Sequence, residues 1–301
     1  MKRVLIVSPT SERHSYIIEK FLETIKKIDY PCFDLYLTDT TPNKKWLKRI
    51  MQRFEMHKGH VKNVYYDYHK WDDSKQHVLR MLSDVREKQR LFAKKKGYDY
   101  MLITATDFLM KPNIIKKLMK RDKDVVVQLC HMYPKEKARP SVLPTGFITI
   151  GKGLDGLTWE QIEEIKKQGK DLIQVWGAGG PTLMKRKVIE EAEWKTHQSY
   201  LWGEDCWWFS EVENRGFELW VDLTERTVHE NTYWEGLEDK VRGPKTWVAF
   251  GTEYGDKEKE YKPAIIDRGE ECVSNKQDGR KRSCERSERK NKKDKIIVCF
   301  T

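Results

Sequence analysis

Short apolar runs alternate with longer stretches in which apolar residues return every third or fourth position. The runs are RVLIVS (Arg3 to Ser8), FDLYLT (Phe33 to Thr38), VKNVYY (Val61 to Tyr66), DYMLIT (Asp99 to Thr104) and DVVVQLC (Asp124 to Cys130). Their length and mostly unbroken apolar character predict strands covered on both faces. Between the first two, SYIIEKFLETIKK places Ile17, Phe21, Leu22 and Ile25 on one helical face. Between the third and fourth, Val78, Met81, Leu82, Val85, Leu91 and Phe92 form a second stripe, and Gly97 follows as a helix-ending residue. Strand and helix in alternation predict an α/β fold, a mostly parallel central sheet with helices on both faces.

Beyond Cys130 the pattern loosens. Residues 131–176 hold prolines and glycines, a predicted hairpin around GFITIGKGLDG, and a short helix that opens with Thr158 and Gln161 in capping-box spacing and stops at Gly169. Substrate-reading loops commonly occupy such an excursion over the sheet edge. GAGGPTLMKRKVIEEAEW (Gly177 to Trp194) follows. Next comes LWGEDCWWFSEVENRGFELWVDL (Leu201 to Leu223), which predicts a helix closed by Gly216 and then a strand. From about Asp256 charged and polar residues dominate, and so few apolar groups cannot offset the entropy of ordering. Residues 256–301 are therefore expected to form a charged, flexible tail.

Composition narrows this only in part. A chain of 301 residues with 38% apolar content accommodates one large domain plus appendages. No stretch approaches the roughly 18 apolar residues of a membrane span, and the four-residue apolar run before Ser8 is too short for a secretory core. Six cysteines without a C-x-x-C pair fit a reducing, cytoplasmic setting. The net charge of +11 attracts anions of any kind, whether nucleic acid, anionic lipid or phosphorylated substrates. With no zinc, helix-turn-helix or RNA-recognition signature, specific nucleic-acid binding is the least favoured of these. The tail segment GRKRSCERSERKNKKDK has the composition for peripheral contact with an anionic membrane, and equally that of a solvated arm.

In open α/β sheets ligands gather beyond the carboxyl ends of the strands. Those ends read SPTSER (Ser8 to Arg13), TDTTPN (Thr38 to Asn43) and TATDFLMKP (Thr104 to Pro112). Asp39 there can accept from a base N–H or a ribose hydroxyl, and Thr10 and Thr106 can donate to phosphate or ribose. Ser, Thr and Asp are also the ordinary formers of turns and caps.

Taken in order, these pieces resemble family 2 glycosyltransferases. Pro9, Thr10 and Arg13 after the first strand, Asp39 after the second, and an arginine-bearing helix before YDYMLITATDFLMKP are similar to that family's nucleotide-sugar half. GAGGPTLMKRKVIEEAEW resembles its glycine-rich strand and following helix start. GEDCWWFSEVENRGFELWVDLTERTVHE resembles its E-D helix, G-x-x-L strand and closing V-x-H. The matches run in family order over about residues 3 to 234.

The resemblance implies a GT-A fold over residues 1–255, with a nucleotide-sugar donor half (1–130) and an acceptor or catalytic half (131–255). It implies inverting transfer of a sugar from a UDP- or GDP-sugar to a glycan, lipid or protein acceptor, usually with Mn²⁺ or Mg²⁺. Donor contacts carry over to Pro9, Thr10, Glu12, Asp39, Arg86, Thr106 and Asp107, with Arg90 one helical turn from Arg86. The family's acid pair D-x-D stands here as Ala105-Thr106-Asp107, so one acid is absent. One carboxylate still suffices in principle, because hard divalent cations take one or two protein oxygens and complete their shell with substrate phosphate and water. Asp107 as a turn cap is the competing role.

Glu204 and Asp205 open a predicted helix, where the dipole favours ionised carboxylates. The resemblance makes Asp205 the general base, with Glu204 orienting the acceptor; helix-dipole satisfaction alone is the plainer role. His229, in the V-x-H match, can lend a nitrogen to a metal or phosphate or serve structure. Trp176 and Trp202 flank the glycine-rich and E-D loops and are the expected sugar platforms, whereas Trp208 and Val212 read as core. Gly177, Gly179 and Gly180 permit close backbone approach to a donor or form a bulge. A catalytically degenerate sugar- or nucleotide-binding domain remains the alternative, motivated by the missing acid.

Overall fold

The computed structural model describes residues 1–41, 46–53, 59–70, 78–133, 142–144, 157–194 and 204–230. The predicted hairpin within 146–156, Trp202 and the tail 256–301 lie outside them. In chain order the elements are β1 (Val4–Thr10), α1 (Ile18–Lys26), β2 (Phe33–Asp39), α2 (Trp46–Arg53), β3 (Val61–Tyr68), α3 (Val78–Lys96), β4 (Tyr100–Ile103) and β5 (Phe108–Leu109). Then follow α4 (Ile114–Lys120), β6 (Val125–Tyr133), β7 (Val142–Pro144), α5 (Trp159–Lys167), β8 (Leu172–Ala178), β9 (Thr182–Lys185), α6 (Arg186–Glu191), α7 (Glu204–Asn214) and β10 (Leu219–Glu230).

These strands form one sheet in the order β3-β2-β1-β4-β9-β6-β10-β8-β7, with β5 paired to β10 off that path. The strands β3, β2, β1 and β4 are parallel to one another. The reversed strand β9 lies antiparallel between β4 and β6, which restores the original direction, and β10 runs parallel to β6. Thus β1, β2, β3, β4, β6 and β10 all point the same way, and their carboxyl ends share one edge. That is the mostly parallel α/β sheet the alternation predicts.

The apolar runs are continuous because the sheet is covered twice. Along β1, Val4 and Ile6 face one cluster with Phe21, Leu22 and Ile25 of α1, Leu47 of α2 and Ile115 of α4. Leu5 and Val7 face the other, with Ala93 of α3, Ile162 of α5, Val188 of α6 and Trp208 and Val212 of α7. Each buried Val, Leu, Ile or Phe among them contributes about 1.5–3 kcal/mol on burial. Trp208 and Val212 are core, as their helical spacing suggests. Thr158 accepts from the Gln161 N–H while the Gln161 side chain accepts from the Thr158 N–H, the expected capping box. Gly97, Gly169 and Gly216 end their helices at positive φ. Among the described residues, no helix is long and apolar enough to cross a membrane.

The ladder between β6 and β10 is interrupted once. β10 pairs with β6 from Leu219 to Asp222, then resumes from Thr227 to Glu230, so that Leu223 to Arg226 lie opposite Leu129 alone. This three-residue excess is held at its base by Gln128, whose amide donates to the Asp222 and Glu225 carbonyls. Asp222 is fully buried and accepts from Arg121 Nε at 2.6 Å. The guanidinium of Arg226 lies 4.0 Å from the centre of the Trp159 ring.

Candidate active site

The carboxyl ends of β1, β2, β4 and β10 bring most of the predicted donor residues together. At the end of β1, the Pro9 carbonyl accepts from Thr106 Oγ1 at 2.8 Å, which fastens the TATD segment to its neighbouring strand. The Thr10 carbonyl accepts from both the N–H and the hydroxyl of Thr40. Thr10 Oγ1 is buried and has no partner among the described residues, an arrangement that leaves a donor and acceptor for a ligand. Glu12 is exposed in a single helical turn (Glu12–His14), and its N–H donates to Thr41 Oγ1 at 2.7 Å.

Asp39, at the end of β2, is almost wholly buried. Its two oxygens accept from the Thr41 and Leu47 N–H groups at 2.8 and 3.4 Å, so the carboxylate shapes the turn and the start of α2. Burial raises its pKa above the usual carboxylate range even against these donors. The turn-forming role is thus realised. Each oxygen keeps a second lone pair for a ligand N–H.

Asp107 follows β4 in a tight turn closed by the Phe108 N–H on the Ala105 carbonyl. Its Oδ2 lies 3.0 Å from His229 Nε2, across 122 positions of sequence. Backbone pairing of β5 with β10 sets this contact: His229 stands opposite Phe108, their rings 4.6 Å apart, and the Glu230 N–H donates to the Asp107 carbonyl. Tyr16 reaches the same corner and donates to the Glu230 carbonyl at 2.9 Å. Burial works to raise the Asp107 pKa, but the charge and hydrogen bond of His229, aided by His14, hold it below the usual range.

Two groups in this corner escape the sequence reading. His14 feels both Asp107 and His229, and burial lowers its pKa below the ordinary histidine value. Its Nδ1 lies 3.4 Å from Ser11 Oγ. Cys130 lies in β6 with its thiol on the Gly179 carbonyl, and burial beside the Asp107 charge pushes it up to about 12. Neither belongs to a spacing pattern; His14 ends the single helical turn Glu12–His14 and Cys130 lies inside an apolar run.

Glu204 and Asp205 open α7 as expected. Asp205 Oδ1 accepts from the Cys206 N–H at 2.9 Å. Burial, followed by the neighbouring Glu204 charge, raises Asp205 to about 8. Burial also raises Glu204, opposed by Arg86. The two arginines of α3 separate cleanly. Arg90 is buried, forked onto Glu87 and bonded to the Ile189 carbonyl at 2.6 Å, so it fastens α3 to α6. Arg86 instead donates through both terminal nitrogens to the Thr104 carbonyl at 3.2 and 3.3 Å.

The predicted sugar platform at Trp176 is corrected. Its side chain is 5% exposed and its ring stands edge-on to Phe209 at 5.7 Å, because inward-facing positions of β8 pack under α7. Two glycines have internal reasons to be glycine. A Cβ at Gly177 would come within 2.4 Å of the Phe209 ring, and one at Gly180, where φ is +147°, within 2.3 Å of the Gln128 carbonyl. Gly179 accepts the Cys130 thiol through its carbonyl. Trp202 falls outside the described residues.

Among the described residues, no group of three or more His, Cys, Asp and Glu side chains is arranged to hold a metal. The protein offers a pair, Asp107 and His229. They are joined by a direct hydrogen bond at 3.0 Å, so ligation of a cation by both requires an imidazole without its Nε2 proton; about 3.0 Å is also the spacing of neighbouring ligands about 2.1 Å from an octahedral cation. The residues present therefore fit a divalent cation whose remaining positions belong to substrate and water.

No protein-family model matches the chain, and no curated protein matches it. Among solved structures, residues 1–349 of TarS from S. aureus are 13% identical with a TM-score of 0.48, over 76% of this chain and 60% of that one. The same fragment in complex with UDP-GlcNAc gives 10% identity and 0.45, over 75% and 58%. A longer TarS structure gives 11% and 0.45, over 78% and 38%. This chain thus spans 60% or less of these proteins, and so distant a likeness fixes neither fold nor ligand.

Proposed function

We propose that the chain is an inverting glycosyltransferase of GT-A type, with residues 1–130 holding a nucleotide diphosphate sugar and 131–255 the acceptor. One observation carries this reading: the single acid of the TATD segment and the histidine of the V-x-H segment, distant in sequence, meet at 3.0 Å on the edge where the parallel strands end. The buried Thr10 hydroxyl, without a partner among the described residues, and the buried Asp39 at the same edge supply further polar contacts for the nucleotide.

In the proposed reaction an acceptor O–H gives its proton to Asp205 while its oxygen forms a bond to the anomeric carbon. The bond from that carbon to the diphosphate breaks, and its electron pair leaves with the nucleotide diphosphate. Asp205 later releases its proton to solvent. Glu204 orients the acceptor. Asp107 and His229 would hold Mn²⁺ or Mg²⁺, which supplies Lewis-acid stabilisation of the leaving diphosphate when bound. A ring nitrogen among the ligands favours Mn²⁺ over the harder Mg²⁺.

The test is a panel of UDP- and GDP-sugars with glycan, lipid and protein acceptors, with Mn²⁺ present, read as nucleotide diphosphate release and product anomer by NMR. Transfer with inversion, abolished in Asp205→Asn, is the expected result. Nucleotide binding without turnover of any donor would favour the degenerate binding domain suggested by Ala105.

A further inference from the structure

The outer edge of the sheet carries an aromatic pocket that the donor and acceptor residues do not use. Among the described residues β3 is the last strand on its side, paired with β2 alone. The register sets Tyr65 opposite Tyr36 and Asp67 opposite Thr38, and the alternation of a strand turns Tyr65 and Asp67 to one face. From α3, Lys88 and Phe92, one turn apart, reach that face: Lys88 pairs with Asp67, and the Phe92 ring meets both tyrosines. The rings of Tyr36 and Tyr65 lie 4.7 and 4.9 Å from that of Phe92, inclined at 45° and 61°, so they build an angled wall rather than a flat stack. Together with the edge of β3 they line a pocket of about 530 Å³. That is within the roughly 300–1,000 Å³ that small ligands occupy. It shares no residue with the Asp107–His229 corner, with Asp39 or with Glu204 and Asp205.

The carboxylate of this pocket keeps one oxygen unused. Asp67 Oδ2 accepts from the Tyr36 hydroxyl at 2.6 Å and pairs with Lys88. Burial raises the Tyr36 pKa, so the phenol keeps its proton and donates. Asp67 Oδ1 is buried and has no partner among the described residues, whereas buried polar atoms are ordinarily hydrogen-bonded. We propose that the pocket binds a neutral saccharide, with Tyr65 and Phe92 against the C–H face of a sugar ring and Asp67 and Lys88 bonded to its hydroxyls. The lining selects that class. Aromatic faces suit the C–H face of a sugar, and a hydroxyl can both donate to a carboxylate and accept from an ammonium. A cationic ligand would meet Lys88 and also Lys96, whose Nζ lies 5.9 Å from the centre of the Phe92 ring, and an anionic one would meet Asp67. The Lys88 side chain is 42% exposed, so its ammonium can turn to a ligand while Tyr36 holds the carboxylate in place. No residue of the proposed transfer chemistry takes part, so saccharide binding here does not depend on turnover.

The test uses cellohexaose, maltohexaose, chitohexaose and mannohexaose as probes on the full chain. Hydrogen–deuterium exchange of the wild type locates binding without any variant. At least one probe should protect peptides covering 64–68 and 86–96, and UDP with Mn²⁺ should not displace it. Calorimetric titration of that saccharide then compares wild type with Tyr65→Leu and Phe92→Leu, which keep apolar bulk but lose the flat face, and with Asp67→Asn. Circular dichroism verifies folding, and if a variant does not fold the wild-type exchange pattern decides. Affinity should fall about tenfold in each ring variant and about fivefold in Asp67→Asn, while UDP affinity stays within about twofold of wild type. No binding of any probe, or protection confined to other segments, would overturn the proposal. So would displacement of the saccharide by UDP, which would make the pocket part of the nucleotide site. Failure of every sugar donor in the transfer assay would count against glycosyl transfer alone, because exchange reads binding without turnover.

Discussion

Replacing His229 by Gln should expose how strongly the site corner depends on one hydrogen bond. Asp107 and His229 side chains are 8% and 20% exposed and lie 3.0 Å apart. Removing the imidazole leaves the buried Asp107 carboxylate without its side-chain hydrogen-bond partner, at a cost of about 2–3 kcal/mol. Asp107→Asn keeps a side chain able to bond to the ring and removes only the charge, at about 1 kcal/mol. In the double variant no carboxylate is left stranded, so the losses should fall short of their sum by about 1–2 kcal/mol. The contact of Phe108 with the His229 ring, 4.6 Å between centres, is lost in both legs that remove the histidine and so cancels. Urea unfolding of all four proteins at pH 7 with EDTA gives the cycle. Repeating it with Mn²⁺ and UDP near 100 times the dissociation constant should stabilise wild type by about 2.7 kcal/mol and the single variants far less. Additivity within about 0.3 kcal/mol would refute the coupling, and equal stabilisation of all four proteins would refute metal ligation by the pair.

The same geometry carries other expectations. With Asp205 raised to about 8, kcat/KM should climb tenfold per pH unit below that value and level off above it; a flat profile from pH 6 to 9 would exclude Asp205 as the base. Because this carboxyl binds its proton more tightly in the folded than in the unfolded chain, its contribution to stability declines as pH rises from about 4 to about 8. Asp205→Asn, which lacks that decline, should gain stability relative to wild type at pH 9 compared with pH 4, as read by thermal melts. Gly180→Ala forces a Cβ against the Gln128 carbonyl at positive φ and should cost about 1–3 kcal/mol in urea unfolding. Trp176→Phe should lower stability by about 1–3 kcal/mol while leaving sugar-donor KM within about twofold, since the ring fills core space.

The sheet and its covering helices were legible because burial on both faces leaves unbroken apolar runs, and because Gly97, Gly169 and Gly216 mark helix ends by a conformation few other residues adopt. The short helices α2 and α4 were not read: their lengths of eight and seven residues give too few turns for a periodic signal. Spacing could not distinguish Arg86 from Arg90, since both lie along α3 and only the approach of Glu87 and the Ile189 carbonyl engages one of them. Trp176 misled for a related reason. The glycines that follow it, Gly177, Gly179 and Gly180, suggest a ligand loop, whereas Trp176 lies inside β8 and its ring's environment is set by Phe209, distant in sequence. The meeting of Asp107 with His229 was anticipated only through family resemblance, because its geometry depends on the pairing of β5 with β10.

The extra residues in β10 act on chemistry through parity. Side chains of a strand alternate between faces, so an excess of three residues exchanges the set of positions directed to each face beyond Arg226 relative to the uninterrupted ladder. An odd-numbered residue, His229, therefore occupies the alternation that an even-numbered one would have held. Insertion or deletion of one residue between Leu223 and Arg226 would direct Val228 or Glu230 at Asp107 instead, so the length of this segment sets which functional group the site receives.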